Sequence, residues 1–61
     1  MKQFIKITEP DGTVYAIRSY KISNVSITKS KLMIYTEDSN AFEACAWNND
    51  LNSILKDLEI D

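Results

Sequence analysis

The side chains with recognition chemistry gather at Arg18-Ser19-Tyr20-Lys21, and Tyr15, Lys6 and Tyr35 join them if the flanking segments are strands of one sheet. A guanidinium, an ammonium and phenol hydroxyls beside aromatic faces can hold an anion by charge and stack on a nucleotide base. The same residues also suit a plainer role, as half-buried tyrosines and as cations that guard a strand edge against aggregation. Trp47 has two readings as well: an anchor for a partner protein, or the residue that closes the core where the last strand meets a helix. The candidate binding set is therefore Arg18, Tyr20, Lys21, Tyr15 and Trp47.

Catalysis has little to build on. The 61 residues hold no histidine, one cysteine and one glycine. A base working near pH 7 would have to be a buried carboxylate, a depressed lysine or Cys45 itself, and no spacing marks one. Cys45 lies between Ala44 and Ala46, a run that suits close packing of backbone layers and lacks an activating base. Glu37-Asp38 falls in a turn cluster, where solvation and turn formation account for both carboxylates. One glycine cannot build a phosphate loop, and one cysteine without histidine cannot hold structural zinc. No catalytic residue, metal or cofactor is expected, and the chain is not read as an enzyme.

Length bounds the rest. A chain of 61 residues buries only about 60% of the surface its unfolded form exposes, so it is a single marginal domain, residues 1–61, without disulfide or metal staples. Self-association is the remaining common source of stability. The opening MKQFIKITE has no apolar run long enough for a signal peptide or a spanning helix, and an unpaired thiol suits a reducing compartment, so a cytoplasmic protein with no membrane association is expected.

The formal net charge is −2, but residues 1–36 carry six basic and two acidic side chains (+4) while residues 37–61 carry one and seven (−6). Either the halves fold together with their charges solvated or weakly paired, or a basic face meets an anionic partner or the acidic face of another copy. The acidic overall balance argues against general nucleic-acid binding, and less against a small anion held between subunits.

Positioning those groups requires strands. Phe4, Ile5 and Ile7 within Lys2 to Thr8 suit a strand, and Glu9-Pro10-Asp11-Gly12 supplies a tight turn. In the next strand, Thr13 to Tyr20, Val14, Ala16 and Tyr20 fall on one face and Tyr15 and Ile17 on the other. The apolar phase then shifts from even (Tyr20, Ile22) to odd (Val25, Ile27), which predicts a bulge or short turn at Ser23-Asn24. Val25 to Thr28 and Leu32 to Thr36 read as strands around Lys29-Ser30-Lys31. Glu37-Asp38-Ser39-Asn40 is a further turn, with Asn40 expected in the left-handed region. Ala41 to Trp47 alternates as a strand, the favoured reading, although Asn40 and Glu43 also mimic a helix capping box. Asn48-Asn49-Asp50 then starts a short helix that buries Leu51, Ile54, Leu55 and Leu58. Asp57, Glu59 and Asp61 place negative charge at its negative pole, which calls for fraying or for basic residues from elsewhere.

The order of strand, Pro-Asp-Gly turn, strand, Ile22-to-Val25 step, two short strands and an Asp-Leu-Asn-Ser-Ile-Leu helix resembles the very small sheet-plus-helix accessory proteins of phages and mobile elements, and the flagellar FlbD-like family of the same layout. Where that pattern has a glycine in its second turn, this chain has Asp38-Ser39-Asn40. The resemblance implies a noncatalytic, self-associating accessory protein and brings no binding residues with it.

The expected fold is α+β, a small antiparallel sheet of four to five strands with one C-terminal helix. The expected function is a noncatalytic adaptor or inhibitor, phage-encoded if the resemblance holds, that binds another protein as a homo-oligomer. The alternative is a small ligand-binding module that sequesters a nucleotide or similar anion at a subunit interface.

Overall fold

The computed structural model describes residues 2–59, so Asp61, read above as part of the acidic helix end, lies outside the described residues. Five strands and one C-terminal helix form a small α+β fold: β1 (Phe4–Thr8), β2 (Val14–Arg18), β3 (Ile22–Ile27), β4 (Lys31–Thr36), β5 (Ala41–Cys45) and α1 (Leu51–Asp57). All pairing is antiparallel, but the strands divide into two sheets, β1-β2 and β3-β4-β5.

The turns follow local chemistry. Between β1 and β2, Gly12 takes φ 93°, its N–H donates to the Glu9 carbonyl at 2.9 Å, and the Asp11 carboxylate accepts the Thr13 N–H at 2.9 Å. That backbone donor holds the Asp11 carboxyl below its ordinary range. The predicted phase break is a register shift between Ile22 and Asn24. After β4, the left-handed residue is Ser39 (φ 70°), not Asn40. The Asn40 carbonyl is needed to accept the Thr36 N–H at 3.0 Å, so Asn40 already belongs to the ladder and the reversal falls one residue earlier. Tyr20 is also corrected: β2 ends at Arg18, and Ser19–Lys21 forms a single 3-10 turn that removes Tyr20 from the strand face.

Ala41–Cys45 is a strand, as favoured, with Ala44 opposite Leu32 and Phe42 opposite Ile34. The core gathers Ile5, Ile7 and Ile17 from the first sheet, Leu32, Ile34 and Ala44 from the second, and Ile54 and Leu58 from the helical segment. Burial of four large side chains to below 2% exposure, Ile5, Ile7, Leu32 and Ile34, contributes about 1.5–3 kcal/mol each. Trp47 takes no part in this closure. It sits 72% exposed in the turn after β5, while Ile54 and Leu58 from the helical segment are buried.

Helix α1 starts at Asp50, whose carboxylate accepts the Ser53 N–H at 3.2 Å. It ends at Leu58, before Glu59 at φ 59°. The basic group required at its negative end comes from the start of the chain. The Lys2 N–H donates to the Asp57 carbonyl at 3.2 Å and its ammonium stands 3.5 Å from the Asp57 carboxylate, a pairing that favours the end of a helix dipole.

Candidate interaction surface

Strand parity determines which backbone groups each sheet leaves open. The Ser19 N–H donates to the Gln3 carbonyl and the Glu9 N–H to the Thr13 carbonyl, so odd residues of the hairpin face one another. In an antiparallel ladder the even residues then point away. On β1 the backbone groups of Phe4, Lys6 and Thr8 turn away from β2, those of Thr8 toward Asn49 beside β5, and on β2 those of Val14, Ala16 and Arg18 turn outward. In the second sheet the Thr28 N–H donates to the Lys31 carbonyl, which turns the backbone of Val25 and Ile27 outward from β3.

The facing edges of β1 and β5 are joined by side chains. The Asn49 carboxamide accepts the Thr8 N–H at 2.8 Å and donates to the Thr8 carbonyl at 2.8 Å and the Cys45 carbonyl at 3.0 Å. Asn48 donates to the Glu9 carbonyl at 3.0 Å. The Glu9 carboxylate accepts the Glu43 N–H at 2.6 Å. These clasps replace ladder rungs, and they also fix the turn that carries Trp47 outward. Sequence reading assigned Asn48 and Asn49 to the start of the helix. Only Asp50 has that role.

Beyond β2 lies an open groove of about 250 Å³. Tyr15, Arg18 and Lys21 stand on its β2 side, and Asp38, Asn40 and Phe42 line the opposite wall. Tyr15 and Phe42 meet with ring centroids 5.0 Å apart at 60°, a tilted aromatic contact. Three of the five candidate residues, Tyr15, Arg18 and Lys21, are therefore brought together. Tyr20, 68% exposed, and Trp47 are not among the groove's lining residues. Lys6 and Tyr35 also stay outside it. Lys6 shares the outer face of the hairpin, while Tyr35 shares the outer face of β4 with Met33.

The electrostatics of the groove are mixed. The Thr36 hydroxyl donates to the Asp38 carboxylate. That bond, aided by nearby Lys21, keeps the Asp38 carboxyl below its ordinary range. Asp38 is thus an anion at neutral pH, with Lys21 the cation that acts on it. Arg18 lies on the other side of the strand edge with its guanidinium carbon 5.0 Å from the centroid of the Phe4 ring, a cation–π placement. Phe42 and Asp38 were not singled out as binding residues. The register that sets Phe42 opposite Ile34 is what brings its ring to Tyr15.

Cys45 is buried, and its S–H donates to the Glu43 carboxylate at 3.0 Å. That bond, reinforced by burial, raises the thiol pKa above its ordinary value, which opposes formation of a nucleophilic thiolate. Among the described residues no group of three or more His, Cys, Asp or Glu could hold a metal ion. No helix among them is long and apolar enough to cross a membrane.

No protein-family model, curated protein or solved structure matches the chain. The functional reading therefore rests on the surface itself.

Proposed function

We propose that the chain is a noncatalytic interaction module, an adaptor or inhibitor that works as a homo-oligomer by occupying the surface of another protein. The observation that carries this reading is the contrast in strand edges. The β1/β5 seam is clasped by Asn48, Asn49 and Glu9, while the outward backbone groups of β2 and β3 have no partner among the described residues. Unpaired edges are templates for another chain. The β3 edge suits a second copy, because Val25 and Ile27 flank it and Asn24 and Ser26 add no charge to repel an identical strand. The resemblance of the strand and turn order to phage and mobile-element accessory proteins implies the same role, and a free Cys45 suits a reducing compartment.

Light scattering at micromolar concentration tests the assembly, with an expected mass of two or more times 7.0 kDa. A monomer that stays cooperatively folded on dilution removes the oligomer from the proposal.

A second reading, sequestration of a nucleotide or similar small anion, is favoured by the convergence of Tyr15, Arg18 and Lys21 on one groove. The ionised Asp38 in the same groove opposes it. Titration with a nucleotide panel decides, because sequestration demands saturable binding that weakens with salt.

A further inference from the structure

We propose that the outer edge of β2 accepts an extended acidic peptide segment of its protein partner as an added strand. This deepens the protein-binding reading above and rests on it. Three observations converge on this edge. The backbone of Val14, Ala16 and Arg18 points outward without a partner among the described residues. Val14 is 54% exposed on a strand with no acidic residue. The groove runs alongside, with the Tyr15–Phe42 aromatic pair in its wall.

Strand addition dictates the chemistry of the occupant, since main-chain hydrogen bonds supply affinity while alternate side chains supply specificity. Residues of the added strand opposite Tyr15 and Ile17 project to the groove side. There they meet aromatic rings, together with Lys21 and Asp38 whose charges offset each other, so a neutral apolar side chain fits. Residues opposite Val14, Ala16 and Arg18 project to the outer face of the hairpin. That face carries Phe4, Lys6, Thr8, Val14, Ala16 and Arg18, with two cations and no acid. Carboxylates fit there.

The same charge count decides against a second copy. An isologous β2–β2 pairing centred on Ala16 would join two such faces and gather Lys6 and Arg18 from both copies with no compensating acid. Four cations gathered on one continuous face without an acid repel one another. An acidic strand removes that conflict, and a self-paired strand creates it.

The test uses the full chain, 15N-labelled, titrated with an N-acetylated eight-residue peptide of alternating glutamate and valine, and with a lysine-valine peptide as its charge-reversed control. The expected result is saturable shifts centred on the Ala16 and Arg18 amides, with at least tenfold slower hydrogen exchange at both, and no binding of the lysine peptide. Arg18→Glu should weaken the glutamate peptide at least tenfold. Ala16→Pro should abolish its binding, because proline removes an outward N–H that no rung of the fold uses; should that variant not fold, Ala16→Asp, which sets a carboxylate against the peptide's own, replaces it. No shift at millimolar peptide, equal binding of both peptides, or shifts confined to Tyr20 and Trp47 would overturn the proposal. Concentration-dependent shifts of Ala16 and Arg18 without peptide would assign the edge to a second copy and also overturn it. If a partner protein isolated with the wild-type chain still binds Arg18→Glu and Ala16→Pro, the edge proposal falls while the interaction module stands; if the chain captures no partner and no peptide, both fall.

Discussion

The β1/β5 seam and the outer edge of β2 begin with the same problem, a row of backbone donors and acceptors at alternate residues, and the chain treats them in opposite ways. At the seam, three side chains from the Glu9 corner and the turn after β5, Asn48, Asn49 and Glu9, take up the backbone groups at Thr8, Glu9, Glu43 and Cys45. At β2 the row has no partner among the described residues and is bordered by an aromatic-lined groove and a cationic face. Buried polar groups must be satisfied within the fold, whereas exposed edges can be left for a partner. If the seam serves stability and the β2 edge serves recognition as we propose, substitutions in the two places should separate cleanly.

Asn49→Ala should have the largest effect. It removes the partner of the Thr8 N–H and of the Thr8 and Cys45 carbonyls at once. Leaving partly buried groups unsatisfied costs about 2–3 kcal/mol in all, against a total of about 3–9 kcal/mol for a domain of this length. Urea denaturation should show a large drop in midpoint or outright unfolding. A midpoint unchanged within error would mean that the seam contributes no stability and would dissolve the contrast with β2.

Glu9→Ala should cost about 1–2 kcal/mol, since it strips the Glu43 N–H of its charge-assisted acceptor. Glu9→Gln keeps an acceptor oxygen and should recover about half of that loss. Equal effects of both substitutions would show that the carboxylate acts through its charge and not through the 2.6 Å hydrogen bond.

Trp47→Ala sharpens the comparison from the exposed side. A largely exposed indole in a turn should change stability by no more than about 0.5 kcal/mol, and its fluorescence should be that of a solvated indole. A blue-shifted emission that moves red on dilution would place Trp47 at the contact between copies.

Much of this architecture was legible in the residues. The Pro10-Asp11-Gly12 turn, the phase break before Val25, the strand at Ala41–Cys45 and the apolar stripe Leu51, Ile54 and Leu58 all follow from local chemistry and periodicity, which act within a few residues. The division into two sheets was not legible, because it depends on Asn48 and Asn49 reaching Thr8 and Glu9 across some 40 positions of chain. An asparagine pair before a helix looks the same whether it caps or clasps. The groove was half legible: Arg18, Lys21 and Tyr15 come from one stretch, while Phe42 and Asp38 arrive only through the β4-β5 register. Of the two readings of Trp47, an exposed indole discards core closure and keeps the anchor.

The smallest expected effect is the dependence of stability on pH, and its two arms come from different regions. In the folded chain the carboxyls of Asp38 and Asp11 are held below their ordinary range, the first by the Thr36 hydroxyl and the second by the Thr13 N–H. A depressed folded pKa stabilises the fold fully above the unfolded value of about 3.9, and the contribution disappears as pH falls through the folded value. Cys45 acts in the opposite sense. Its thiol is raised by Glu43, so its contribution is complete below the unfolded value of about 8.5 and is lost as pH rises through the folded one. The thermal midpoint should therefore be level from about pH 5 to about pH 8 and decline on both sides. Asp38→Asn should flatten the acid decline and leave the alkaline one. Cys45→Ala should flatten the alkaline decline while leaving peptide binding at β2 unchanged. An alkaline decline of the same size in Cys45→Ala would remove the Cys45–Glu43 contact as its cause, and lost peptide binding in that variant would show that the clasped seam and the open edge are coupled, not separate.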